Sequence, residues 1–359
     1  MYCRVLINVP SLTLSILLAL SLGLSAIAWP FSAQAKEILQ PALLRFSFNN
    51  DIFFRKDNKI SAGWAIQLQS PAQNEWKDLP LTPDFMAAWA ASRTLLSSPT
   101  LHKRAGFSLG QIIQTPDDIS RKSFIPDDVP YAAVLALQMS VYAYDDRVFH
   151  GAELLTGLVG PGALGEQTQN LVHRTLNNEI PRGWDNQLST ELLLNINIMH
   201  KLKVLRWQGE RSAGGDLTLN LNAGIGNLFT QLSLSMEMRF GDNMPGGFVN
   251  VADPVGFSVN HKATIKPANP SSPSLYGSLV LRSTYLQRDL FLDGNAFRNS
   301  VSVDKQALVS QLILGMHYES ADWGLHFTLL KSSDDIDTSQ LQSAHGNEAI
   351  GTLEFEWRY

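Results

Sequence analysis

From residue 36 to the C-terminus, apolar and polar positions alternate with a period of two rather than 3.6. The end of the chain is the clearest case: Leu353, Phe355, Trp357 and Tyr359 alternate with Glu354, Glu356 and Arg358. Leu232, Leu234, Met236, Met238 and Phe240 do the same against Ser233, Ser235, Glu237 and Arg239. Similar runs cover Leu217 to Ile225, Leu192 to Ile198 and Leu135 to Val141. Others centre on Phe46, Ile66, Leu109, Leu154, Leu279, Leu312 and Phe327. Large apolar side chains set against charges suit a wall between lipid and a polar lumen, and a final aromatic suits the closing strand of an outer-membrane barrel. The pattern predicts an all-β fold, a twelve-stranded antiparallel transmembrane β-barrel, with the even strand number bacterial barrels have.

Twelve strands of ~10 residues take about 120 residues. The rest must be turns and long connections, and 70–104, 113–130, 160–187 and 241–273 carry Pro, Gly, Asn and Asp with little alternation. One stretch differs. From Leu164 to Leu176 a helical stripe appears, formed by Leu164, Leu171, Val172, Thr175 and Leu176. Gly160-Pro161-Gly162 precedes it, and Asn177-Asn178 and Pro181 stop it. A short helix in an extracellular loop is predicted there.

The first 35 residues read as a secretory signal peptide. Arg4 is followed by a nearly unbroken apolar run from Leu12 to Ala28, then Pro30 and the small-x-small site Ala33-Gln34-Ala35. The single cysteine, Cys3, falls inside this leader, so 36–359 forms one barrel domain without disulfides. Mean hydropathy of −0.04 resembles a soluble protein, but alternating strands dilute their own hydropathy. With 45% hydrophobic and 17% charged residues the chain is not disordered. A net charge of −5 gives no footprint for nucleic acid.

Few residues announce chemistry. Asn49-Asn50-Asp51 ends the first strand; such residues ordinarily form turns, though a carboxylate beside an amide also suits a hard cation or an oxyanion. Ser61-Ala62-Gly63 opens the second strand and would share that rim if the two strands form a hairpin. Of eight histidines, His173 stands out because it lies in the helical loop among Gln167, Gln169 and Asn170. Gly106-Phe107-Ser108-Leu109-Gly110 matches a nucleophile-elbow pattern, but sits in an alternating strand with no helix after it, so Ser108 is set aside. No zinc, phosphate-loop or dinucleotide motif occurs. Arg121, Lys122, Arg174 and Arg182 could meet an anionic headgroup.

Several loop motifs together resemble the outer-membrane lipid A 3'-O-deacylase family. They are Asn50-Asp51, Ile60-Ser61-Ala62-Gly63, Gly110 to Pro116, and Asp128-Val129-Pro130-Tyr131-Ala132-Ala133. Most specific is Val159-Gly160-Pro161 through Gln169-Asn170-Leu171-Val172-His173-Arg174 to Gly183-Trp184-Asp185-Asn186-Gln187, and Phe240-Gly241-Asp242 follows later. The resemblance implies a twelve-stranded barrel with an active site at the extracellular rim, between the wall and a loop helix. It implies that His173 activates water, and that Asn50 and Asp51 are associated with a calcium ion, bound through Asp51, and with the substrate carbonyl. Ser61 stands where the family usually has Thr, Glu179 matches a downstream glutamate, and Arg121 or Lys122 falls near a basic substrate-binding position. The substrate implied is lipid A of lipopolysaccharide. The chain departs from the family at Val129 and Ala133, usually Arg and Gly, and at Gln114, usually Tyr.

The reaction expected is ester hydrolysis, with His173 as general base and a cation and donors at the oxyanion. One rival is a non-enzymatic porin or binding barrel. Another is an outer-membrane phospholipase, whose His-x-Ser sign is missing from the sequence.

Overall fold

The computed structural model describes residues 41–50, 60–80, 82–126, 128–209, 213–248, 267–336 and 347–359. The expected leader lies outside them. Six strands form the first half of the barrel: β1 (Leu43–Asn50), β2 (Ile60–Gln69), β3 (His102–Gln114), β4 (Ala132–Tyr144), β5 (Val148–Val159) and β6 (Glu191–Gln208). The second half is β7 (Ala213–Gly226), β8 (Phe229–Asp242), β9 (Ser274–Asp289), β10 (Leu308–Glu319), β11 (Trp323–Asp334) and β12 (Asn347–Arg358). Each pairs antiparallel with its neighbours in chain order, and β1 seals against β12 from Leu43↔Arg358 to Asn50↔Gly351. All twelve alternating runs are strands of one closed barrel.

The alternation sorts the side chains as a lipid-facing wall requires. On β6, Leu192, Leu194, Ile196 and Ile198 are exposed on the outside, whereas Asn195 and Asn197 are buried in the lumen. On β12 the lumen takes Glu354, Glu356 and Arg358. Glu354 accepts from Ser47 Oγ at 2.8 Å, and the other two charges are in ion pairs. Arg45 meets Glu356 at 2.6 Å, and Arg358 bridges Glu356 at 2.7 Å and Glu319 at 3.0 Å. On the opposite side of the lumen Asp216 is shared by Arg239 and Lys203.

Both ends of the lumen are closed by chain folded inward. At the end bearing the termini and the short connections 145–147 and 320–322, the periplasmic end in such barrels, Phe248 packs on Phe149 at 5.9 Å. The Gly247 carbonyl beside it accepts from Lys203 Nζ at 2.6 Å. At the loop-rich extracellular end, helix Leu290–Asp293 seats Leu290 and Phe291 among Leu228, Phe229 and Ile350. Gln114 Nε2 donates to the Phe291 and Pro130 carbonyls, tying that plug to the β3–β4 loop.

Two expectations change. Strand β3 starts at His102 and runs to Gln114, so the ends of two supposed loops belong to the sheet. Within 70–101 the chain also forms a helix, Asp84–Ala91, where only a loop was expected. Its residues, DFMAAWAA, are apolar nearly all round and leave no period to read.

Candidate active site

A second helix, Gly165–Leu176, occupies the loop between β5 and β6 as predicted. Gly160 opens its approach in a left-handed conformation, with φ 84, where a Cβ would lie 2.4 Å from the Leu188 carbonyl. Asn177 ends the helix, also left-handed, with φ 57. We number the helices α1 (Asp84–Ala91), α2 (Gly165–Leu176) and α3 (Leu290–Asp293).

Helix α2 lies against the outside of the barrel. Leu109 faces lipid on β3, so Gln111 and Ile113 share its outer face. Gln111 Nε2 donates to the Ala163 carbonyl at 2.6 Å, and its Oε1 accepts from Trp64 Nε1 at 3.0 Å. Ile113, Tyr131, Ala133, Ala163 and Trp184 form one buried cluster between wall and loop. Gly165 sits directly on the wall: a Cβ there would be 2.3 Å from Ala133 Cβ and 2.8 Å from Trp184 Cη2. One turn on, Gln169 accepts from Trp184 Nε1 at 3.1 Å.

His173 is half-buried and follows Gly165 and Gln169 at four-residue spacing, on the same stripe of α2. Its Nδ1 lies 2.5 Å from the backbone carbonyl of Glu179. A carbonyl only accepts, so Nδ1 carries a proton, and in the neutral ring the lone pair is then on Nε2. The Glu179 side chain is exposed, so this residue orients the ring through its backbone. Of the stripe read from the sequence, Leu164, Leu171, Val172 and Thr175 are exposed rather than packed on the barrel, and the side chain of Leu176 lies outside the described residues. A helix on the outer surface of a membrane barrel turns its apolar stripe to the surroundings.

The β3–β4 loop clasps the exit of α2. Arg182 N donates to the Ile119 carbonyl at 2.9 Å, and Asn186 Nδ2 to the Lys122 carbonyl at 2.9 Å. The Tyr131 and Trp184 rings meet at 5.0 Å, and burial pushes the Tyr131 phenol up to about 12. Arg121 and Lys122 therefore stand on the same loop cluster as His173. Both are exposed; Lys122 faces Asp185 at 3.9 Å and Arg121 Nε donates to Ser123 Oγ at 2.9 Å.

Asn50 belongs to the outer face of β1, since Arg45 and Ser47 point to lumen partners Glu356 and Glu354. It pairs with Ala62, Ala62 with Ile113, and Ile113 with Ala133, a row running across four strands to the seat of Gly165. Strands β1 and β2 thus form the hairpin on which Ser61 and Asn50 share a rim. Asp51 and the side chain of Ser61 lie outside the described residues. Among the described residues no three His, Cys, Asp or Glu side chains gather as a metal-binding group. The oxygens offered by Asn50, Asp51 and Ser61 fit a hard cation such as calcium and not a soft one. Ser108 is buried on the lumen side of β3 with strand on both sides, not on an elbow.

The sequence assigns no role to Trp64, and Gln111, Gln169 and Trp184 stand in its motifs without one. Gln111 did carry a signal. It is a polar residue in the apolar phase of its strand, between Leu109 and Ile113.

Comparison with known proteins bears on the whole chain. The model of a family described as outer membrane protein LpxR matches residues 16–359. No curated protein matches. Among solved structures, LpxR from Salmonella typhimurium aligns with a TM-score of 0.69 at 14% identity, covering 88% of this chain and 100% of that one. The beta domain of the Bordetella autotransporter BrkA aligns at 0.42 with 9% identity, over 89% and 99% of the two chains.

Proposed function

The chain belongs to the LpxR outer membrane protein family, the lipid A 3'-O-deacylase family its motifs resemble, and we propose that it hydrolyses an acyl ester of lipid A. The observation that carries this reading is His173, presented with Nδ1 engaged by the Glu179 carbonyl on a helix clamped to the lipid-facing side of the wall. A base placed there can reach an ester whose acyl chains stay in the bilayer. A site in the lumen could not.

In the proposed reaction His173 Nε2 takes a proton from water as the water oxygen bonds to the ester carbonyl carbon. The tetrahedral oxyanion collapses, the bond to the sugar oxygen breaks, and His173 returns the proton to that leaving oxygen. The Asn50 amide and the Ser61 hydroxyl donate to the oxyanion. A calcium ion held by Asp51 beside Asn50 would, when bound, add positive charge near the carbonyl oxygen. Arg121 and Lys122 would meet the anionic headgroup. Lengths are compatible: His173 lies about 12 Å along α2 from Gly165, and the row from Ala133 to Asn50 spans about 14 Å.

A porin reading is disfavoured by the lumen, which among the described residues is lined by ion pairs between neighbouring strands and stoppered at its two ends by Phe248 and Phe291. The test is purified full-length protein in mixed micelles with lipid A. Free fatty acid should appear with wild type, and be lost with His173→Ala or a calcium chelator. Full activity in chelator removes the cation from the mechanism, and full activity of H173A removes the base.

A further inference from the structure

The connection 70–101 joins β2 to β3 at the periplasmic end, where such barrels ordinarily have short turns. It does not hang below the barrel. Its Trp76, Leu79, Met86, Ala90, Leu96 and Leu101 pack on Ala105, Val141, Ala143 and Ala152. The register shows which face of the wall this is. Ala105 pairs with Val141 and Val141 with Ala152, four residues along from the pair Leu109↔Leu137. Leu109 and Leu137 are exposed on the lipid side, so Ala105, Val141 and Ala152 lie on that side too. The segment is therefore strapped to the outside of the wall.

The strap is well anchored. Lys103 Nζ donates to the Ser98 and Leu101 carbonyls at 2.8 and 2.9 Å, and the backbones of Gln73 and Lys103 exchange hydrogen bonds of 2.9 and 2.8 Å. Trp76 Nε1 donates to the Leu96 carbonyl at 3.1 Å. Small residues on the wall make room for it.

The outer side of α1 is apolar as well; apart from Asp84, the exposed charges of the strap lie outside the helix, at Glu75, Lys77 and Asp78 before it and Arg93 after it. Phe85, Trp89 and Leu95 are 63%, 42% and 61% exposed, and Asp84 is the only charge in α1. A helix apolar all round belongs in a covered position. Elsewhere on the periplasmic rim, exposed aromatics project from the strands themselves: Trp207 on β6, Phe240 on β8, Trp323 on β11 and Trp357 on β12. The corresponding outer positions of β3 and β4 hold Lys103 and Ala143, under the strap. Arg93 lies 5.4 Å over the Trp89 ring, a cation beside an aromatic as at a membrane interface.

We propose that α1 and Leu95 lie in the periplasmic leaflet of the outer membrane, against glycerophospholipid, and complete the aromatic girdle where the wall does not supply it. The occupant follows from continuity with the barrel's lipid belt, since Met139, in the same outward register as Leu137, packs on the strap. The proposal is independent of the catalytic one.

The test uses spin labels on single cysteines at positions 85, 89 and 95, in the full chain with Cys3→Ser, reconstituted into phosphatidylethanolamine–phosphatidylglycerol vesicles. Position 196 serves as the lipid-facing control and position 322, in a periplasmic turn, as the water control. Oxygen should relax the three labels several-fold more than a nickel chelate does, as at 196. Chelate access like that at 322 overturns the proposal. So does exclusion of both reagents, which would mean that protein covers the face. Because 85, 89 and 95 are exposed, the labels leave the packing of the strap intact, and heat-modifiable gel mobility checks barrel closure in each variant.

Discussion

Replacing Gly165 by alanine tests whether the seat of α2 on the barrel sets the position of the base. The added Cβ would stand 2.3 Å from Ala133 Cβ. Carbon atoms settle at about 3.5–4.0 Å, so wall and helix must part by roughly 1.2–1.7 Å. Ala133 is in a strand paired on both sides, and the helix is the element free to give. A displacement of about 1 Å in a positioned catalytic group costs on the order of 10²-fold. The expected result is a fall of about that size in kcat on lipid A micelles, with barrel closure and gel mobility unchanged. Ala133→Gly removes the opposing methyl and should restore part of the loss in the double variant; Trp184 Cη2, 2.8 Å from the same Cβ, limits the rescue. Wild-type activity in a folded G165A barrel would refute the reasoning, because the base would then not depend on that contact.

Glu179→Ala keeps the backbone carbonyl that holds His173 Nδ1, so activity should stay close to wild type; a loss comparable to His173→Ala would assign the orienting role to the carboxylate instead. Asp216→Ala leaves Arg239 and Lys203 in the lumen without their shared carboxylate, and should cost about 3–5 kcal/mol in denaturant unfolding from vesicles, where no change would mean water screens the pair. The absorbance titration of wild type minus Tyr131→Phe should show a phenol ionising at about 12. The neutral form is favoured in the folded clasp, so its contribution is present below the ordinary tyrosine range and is lost as pH rises through the raised value. Ionisation in the ordinary range would mean the clasp around Trp184 is open.

The barrel was legible because lipid and lumen impose a period of two on every strand, from Phe46 to Tyr359. What escaped the sequence escaped for physical reasons. Helix α1 is apolar on both faces because wall and surroundings both favour it, and without contrast there is no period. Gln111 is polar on an outward position, and reading polar residues as lumen-facing hides a side chain that instead binds α2 to the wall. The stripe Leu164, Leu171 and Val172 marked the helix correctly but points away from the barrel, because the apolar medium here is outside.

Departures from the family pattern also find partners. Ala133, where the family usually has Gly, fills the space that Gly165 leaves. Val129, in place of an arginine, is buried with Leu292, Val303 and Ile336. Gln114 holds two loop carbonyls at once. Among the residues proposed for chemistry only Ser61 departs from the family pattern, and Ser keeps the hydroxyl of the usual Thr.

The most direct test of the central claim is mass spectrometry of lipid A from cells expressing the wild-type chain or His173→Ala, with equal amounts of closed barrel in the outer membrane. The account predicts lipid A lacking an acyl group with wild type and fully acylated lipid A with H173A. Unchanged acylation in both, or the same loss in both, would contradict it.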